Sequence, residues 1–377
     1  MTRATGVSYN VCLYRKGGVT ETPYWLGFHL VPGIGATRLA RLVDYFGSLE
    51  RAWNATPVAL RASGLGERAL DSLVTTRSRL SLDDEMLRVE RAGVHLLTLA
   101  DDNYPRLLRE ITSPPTVLYV RGSLTPEDEN AVAIVGTRRV TSYGREMSRR
   151  FGMELAVSGV TVVSGLARGV DGIAHAAALD AGGRTIAVLG CGLDTIYPPE
   201  HRALAERIVE HGALVSEFSL GTTPEAANFP VRNRIISGLS LGIVVIEAPM
   251  KSGALITSNF AGDQGRTVFA VPGSALSNAS AGTIQLLLDG ATVAANVNDV
   301  LSALELGTRQ VEMETRQLLP STELERTLLL QLTGEPKHID EIALETGFHI
   351  GTLSAQLLQM QLKGLVRNVG TQHYVRG

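Results

Sequence analysis

Seven arginines fall between Asn130 and Arg184 against four Asp or Glu residues, a local surplus of three positive charges in a chain of formal net charge -3. Three of them adjoin small-residue turns. Arg138 and Arg139 follow Gly136-Thr137, and Arg168 stands inside Ser164-Gly165-Leu166-Ala167-Arg168-Gly169. A guanidinium can fork onto a phosphate, and a glycine turn that opens a helix offers backbone amides to an anion. Arg138, Arg139 and Arg168 beside Ser164 and Gly165 therefore spell a phosphate cradle. The strict Gly-x-Gly-x-x-Gly fingerprint of dinucleotide folds is absent.

Such a cradle needs a sheet edge to stand on. Ala131 to Val135 and Thr161 to Val163 are short β-branched runs, and each feeds a turn and then a helical pattern, the signature of a βαβ unit. Further runs occur at Val94 to Leu99, Val117 to Val120, Thr185 to Leu189, Ala213 to Val215, Ile243 to Ile246, Val268 to Val271 and Thr292 to Ala294. Helical patterns such as Tyr143 to Val157, His201 to Val209, Ile235 to Leu239 and Ile284 to Leu288 alternate with them. This alternation predicts an α/β fold, an extended Rossmann-like parallel sheet of about nine strands covered on both faces.

Ligands of open α/β sheets bind outside the carboxyl ends of the strands. Those ends carry Gly136-Thr137-Arg138, Ser164-Gly165, Gly190-Cys191-Gly192, Ser216-Glu217, Glu247-Ala248 and Val271-Pro272-Gly273. With Arg138, Arg168, Arg232, Arg234 and Lys251 nearby, the rim suits a phosphodiester backbone better than an apolar substrate. Phe229 and Tyr197 add stacking faces for bases.

Catalytic and metal chemistry find less support. Asp171 and His175 share a helix face at i, i+4, but no third ligand accompanies them, and we read them as a satisfied polar pair at a helix start. Glu217 and Glu247 at strand ends have the types for general acid and base work. We read them instead as partners of rim arginines such as Arg232 or Arg234, because no standard nucleophile motif occurs. No cofactor is expected.

The motifs, taken together, resemble those of the DNA-processing protein A family (DprA, also called Smf). The resemblance rests on Gly136-Thr137-Arg138 with Tyr143-Gly144, and on Ser164 to Asp171 with Ala174-His175. It continues at Tyr197-Pro198, at Phe229-Pro230-Val231-Arg232-Asn233-Arg234, at Ser252-Gly253-Ala254-Leu255-Ile256-Thr257 and at Val271-Pro272-Gly273. It is strong over about residues 95 to 305. It implies a non-catalytic protein that binds single-stranded DNA, protects it and loads the RecA recombinase during natural transformation, and that forms a homodimer through the Rossmann-like domain. The nucleic-acid set it implies is Arg138, Arg139, Ser164, Gly165, Arg168, Phe229, Arg232, Asn233, Lys251, Ser252 and Gly253. The chain departs from many relatives in lacking a lysine shortly before Phe229, where Thr223 to Asn228 stands, and Lys251 or Arg232 is a candidate substitute.

The alternative is an enzyme on a nucleoside monophosphate, of the phosphoribohydrolase type found among related Rossmann-like families. Such enzymes carry Pro-Gly-Gly-x-Gly-Thr followed closely by a catalytic Glu. Here Met250 to Ser258 is followed by none.

Around this centre the expected order is a mobile tail over residues 1–22, a helical SAM-like, helix-hairpin-helix domain over 23–92, the Rossmann-like domain over 93–306, a linker over 307–320 and a winged-helix domain over 321–377. Val31-Pro32-Gly33-Ile34-Gly35-Ala36 and Ser63-Gly64-Leu65-Gly66 resemble helix-hairpin-helix turns, which serve either a DNA phosphate or plain helix packing. The winged helix carries five bases against six acids, and Ile350 to Leu362 holds no Lys or Arg. Contact with protein is expected of it rather than groove reading. Two cysteines, Cys12 and Cys191, support neither a disulfide framework nor a cysteine-based zinc site. With no run approaching 18 apolar residues, a cytoplasmic protein without membrane contact is expected. Ile284 to Leu288 and Val300 to Leu306 are candidate dimer surfaces.

Overall fold

The computed structural model describes residues 21–306, 323–332, 336–362, 365–370 and 372–376. Most of the expected tail and all of the expected linker lie outside these residues; α1 already begins at Thr22. The chain forms two compact units, divided after Arg309.

The first unit opens with six helices: α1 (Thr22–His29), α2 (Ala36–Phe46), α3 (Leu49–Asn54), α4 (Pro57–Ala62), α5 (Glu67–Arg77) and α6 (Leu82–Arg91). Ser48, Thr56 and Ser81 cap α3, α4 and α6 through their side-chain oxygens, satisfying amides the helices cannot reach. Gly33 turns the chain between α1 and α2 with φ at +86°, a conformation open to glycine at little cost. The separate domain expected over 23–92 is not found, because the apolar faces of these helices do not form a core of their own. Trp25, Leu39, Trp53 and Leu73 belong to the same buried cluster as Val117, Leu118, Val188 and Ile243 of the sheet.

Nine strands follow: β1 (His95–Thr98), β2 (Val117–Gly122), β3 (Ala131–Val135), β4 (Thr161–Ser164), β5 (Thr185–Val188), β6 (Gly212–Ser216), β7 (Gly242–Val245), β8 (Thr267–Ala270) and β9 (Thr292–Val293). Their order across the sheet is β1-β2-β6-β5-β4-β3-β7-β8-β9. The strands from β3 to β9 run parallel. β2 alone departs from the all-parallel expectation, since both its pairings, with β1 and with β6, are antiparallel. The connection from β1 to β2 contains only the short α7 (Arg106–Arg109) and no crossover helix to carry a parallel return.

Helices α8 (Ser142–Val157), α9 (Val170–Asp180), α10 (Arg202–His211), α11 (Asn228–Gly238), α12 (Gly253–Asp263), α13 (Ala281–Leu288) and α14 (Val297–Ala303) complete this unit. α11 starts seven residues before the expected Ile235. Pro230 lies in its first turn, where a missing N–H costs the helix nothing, so the proline that reads as a breaker is part of the helix. Of the two candidate dimer surfaces, Val300 and Leu301 are buried and serve the core.

The second unit holds α15 (Glu323–Gln331), β10 (Lys337–His338), α16 (Ile339–Thr346), α17 (Ile350–Leu362), β11 (Val366–Gly370) and β12 (His373–Arg376). Three helices and a hairpin were expected; β10 is an added third strand, pairing with β12. Leu328, Ile342, Leu353, Leu357 and Met360 form a core separate from the first unit's.

Candidate nucleic-acid interface

Because β3 to β9 are parallel, their carboxyl ends share one edge, and backbone bonds lace the loops there together. The Thr137 N–H donates to the Glu247 carbonyl at 2.7 Å, and the Val170 N–H donates to the Thr137 carbonyl at 3.3 Å. Gly169, at φ +78°, lies against the Thr137 carbonyl with no room for a Cβ. The turns after β3, β4 and β7 are thereby one body.

Between these loops, the start of α11 and the start of α12 lies an open pocket of about 410 Å³. It gathers Arg138, Arg139, Phe229, Arg232, Asn233, Lys251, Ser252 and Gly253 of the expected set. Arg138, Arg139 and Lys251 are exposed. The Arg138 guanidinium stands 5.4 Å from the centre of the Phe229 ring, a cation–π distance. Phe229 is half-buried, 5.8 Å from Tyr197, and its Cδ1 would meet a Cβ on Gly190 at 2.9 Å. Glycine at 190 is what lets the ring settle on the loop after β5. Asn233 donates to the Gly253 carbonyl at 3.4 Å, and Ser252 caps α12 by accepting from the Ala254 N–H at 3.3 Å.

Arg232 plays a different part from its neighbours. It is 4% exposed and donates to the Val188 carbonyl. Burial lowers its pKa to about 10, against the opposing charge of Asp171. Asp171, 7% exposed, accepts the Gly165 N–H at 3.1 Å and the Ala167 N–H at 3.3 Å. Burial raises its pKa, an effect opposed by Arg232 and by those amides. A Cβ on Gly165 would overlap the Arg232 guanidinium, so glycine here makes room for the buried cation.

Three expected residues do not line the pocket. The Ser164 hydroxyl is fully buried and donates to the Ile134 carbonyl at 2.6 Å. The Gly165 amide, expected to face a phosphate, is engaged by Asp171 instead. Arg168 pairs with Glu200 on the surface. Conversely, Thr137, Pro230 and Thr257 line the pocket and were passed over, although each lies inside a motif singled out in the sequence.

The carboxylates at the strand ends have structural partners. Glu217 pairs with Arg234, as expected. Glu247 pairs with no arginine; it accepts the Thr141 N–H at 3.0 Å and the Thr141 hydroxyl at 2.5 Å, fixing the residue that caps α8. Asp171 and His175 do not bond to each other: His175 shares a 2.6 Å hydrogen bond with Thr185, and burial drives its pKa down to about 3. Among the described residues no group of three or more His, Cys, Asp or Glu side chains could hold a metal ion. No described helix is long and apolar enough to cross a membrane.

The arrangement is a cationic, partly aromatic pocket with the buried Arg232 and Asp171 in its lining. Comparison with known proteins places the chain in a family. A family model described as DNA recombination-mediator protein A matches residues 95–305, and a DprA winged helix domain matches residues 312–370. Protein Smf of Synechocystis is 38% identical, over 95% of this chain and 99% of that protein. Protein Smf of Escherichia coli is 35% identical, over 93% and 95%. The X-ray structure of DprA from Streptococcus pneumoniae superposes with a TM-score of 0.66 at 34% identity, covering 74% of this chain and 97% of that one. A structure concerned with the single-stranded DNA binding mode of DprA from Helicobacter pylori gives 0.51 at 32%, covering 56% and 96%. The chain therefore belongs to the DNA recombination-mediator protein A family, whose relatives carry the names DprA and Smf.

Proposed function

We propose that this chain binds single-stranded DNA through its phosphate backbone, protects it and hands it to the RecA recombinase during natural transformation and recombination, without catalysing a reaction on it. The observation that carries the reading is the convergence of Arg138, Arg139 and Lys251, all exposed, on a pocket walled by Phe229. Exposed cations answer phosphates without reading sequence, and an aromatic face accepts any base. Lys251 supplies the charge that the segment before Phe229 lacks. Arg232, Asp171 and Gly165 act from beneath, holding the loops to which the contacting residues belong. Leu288 at the end of α13 and Val293 on the sheet's edge strand β9 are exposed apolar side chains suited to a homodimer contact, where edge strands pair readily.

Fluorescence anisotropy with labelled oligothymidine tests the proposal. Arg138→Ala removes a charge-assisted contact and should weaken binding by about 1.5–3 kcal/mol, with folding intact. Affinity should fall with salt at a log–log slope near -0.7 per phosphate contacted. A flat salt response, or duplex bound as tightly as single strand, would refute it. Release of a free base from a nucleoside monophosphate would favour the enzymatic alternative instead.

A further inference from the structure

Arg138 and Arg139 are shared between two pockets. On the far side of this arginine wall from Phe229 lies a second open pocket of about 640 Å³, and nothing in the reading above uses it. Its charged lining is Arg138, Arg139, Arg145 and Arg207, joined by His201, with no carboxylate among the lining residues. Four guanidiniums around one concavity repel one another unless an anion sits between them.

Two details point to a ligand rather than to a solvated surface. Arg145 occupies the first turn of α8, whose amide end is already answered by the Glu247 carboxylate on Thr141, so the helix start supplies no partner for its guanidinium. Arg145 is exposed and forms no ion pair among the described residues, so no internal contact accounts for its position. Arg207 does have a partner, Asp180 at 2.7 Å, but the pair is solvent-exposed, and such pairs hold a guanidinium weakly. Gly169 and Gly172 also line it, their bare Cα positions packed against the Thr137 carbonyl and the His201 ring, which holds that ring in the lining.

We infer that this pocket is a second phosphate subsite, and that a single strand seated on Phe229 continues over the Arg138-Arg139 wall to place a further stretch of backbone against Arg145 and Arg207. The inference rests on the reading of the first pocket as a single-strand site. The shared wall gives the path its direction, since a phosphate held by Arg138 or Arg139 is already at the mouth of the second pocket.

The test compares a short oligothymidine of about six nucleotides with one of about twenty, lengths chosen to fill one pocket or both. In the full chain, the double variant Arg145→Ala/Arg207→Ala should bind the short probe as the unaltered protein does. It should bind the long probe about tenfold or more weakly, with a salt slope shallower by about 1.4, two phosphates' worth. Both side chains are exposed, so an unchanged Tm is expected and verifies the fold. Arg138→Ala should weaken both probes. Equal affinity and equal slope for the long probe in the double variant and the unaltered chain would overturn the second subsite while leaving the first intact. An Arg138→Ala variant that binds the short probe normally, beside a double variant that loses the long one, would remove the first reading and with it the path from Phe229. Failure of the unaltered chain to bind either probe would remove both.

Discussion

Replacing Arg232 with methionine separates a structural cation from a ligand-binding one. The side chain lines the pocket, yet 4% exposure and its bond to the Val188 carbonyl place it in the body of the fold. The substitution leaves that carbonyl without its donor, at a cost of about 1–3 kcal/mol. It also removes the positive charge that opposes the raised pKa of the buried Asp171, with which Arg232 makes no direct ion pair. Two effects offset part of this. Arg232 Nε is buried without a partner, so its removal relieves a desolvation cost, and methionine refills much of the volume. A net loss of about 1–2 kcal/mol remains, or roughly 2–4 °C in Tm for a unit of this size. Thermal unfolding by calorimetry, run beside oligothymidine anisotropy below the transition, reads both quantities. A Tm within about 1 °C of the parent combined with a tenfold or greater loss of affinity would refute the reasoning, because it is what a phosphate ligand with no structural role would give.

Two further outcomes follow from buried groups. A Cβ at Gly144 would overlap Glu247 Oε2, so Gly144→Ala should destabilise by about 1–3 kcal/mol despite alanine's better helix propensity; a raised Tm would contradict the tie between Glu247 and Thr141. His175 is fully buried with its pKa lowered from 6.5 to about 3, so below pH 6.5 the unfolded chain takes up a proton that the folded chain refuses. This residue's contribution is whole above pH 6.5 and should fall by about 1.4 kcal/mol per pH unit on acidification, reaching about 2 kcal/mol at pH 5. His175→Gln should flatten the stability profile between pH 6.5 and 5, and an unchanged slope would exclude this histidine as its source.

The strands of the parallel region were legible because Val, Ile and Ala runs bounded by glycine turns have few other uses. Strand direction was not, since β2 has the same composition whichever way it pairs, and only the missing crossover helix reverses it. The start of α11 was hidden by Pro230, which breaks a helix interior but not a first turn. β10, two residues long, is too short to show a period. At the site, residue types located the pocket: Arg138, Phe229 and Lys251 meet as the rim argument requires. Contacts within it were out of reach, because the direction of the Gly165 amide depends on Asp171 turning back on its own loop, and the burial of Arg232 depends on a helix register that Pro230 concealed.

The apolar cluster that runs without interruption from Trp25 and Trp53 into Val188 and Ile243 makes the helical segment unsuited to exchange as a cassette. Grafting it onto another α/β sheet, or deleting it, would expose the apolar side of β1 and β2 along with its own interior. The hairpins at Gly33 and Gly64 accordingly inherit the rigidity of the sheet to which their helices are welded. Any change of angle between those turns and the rim would have to disrupt one shared interior, so lineages can alter the turns' side chains far more readily than their placement.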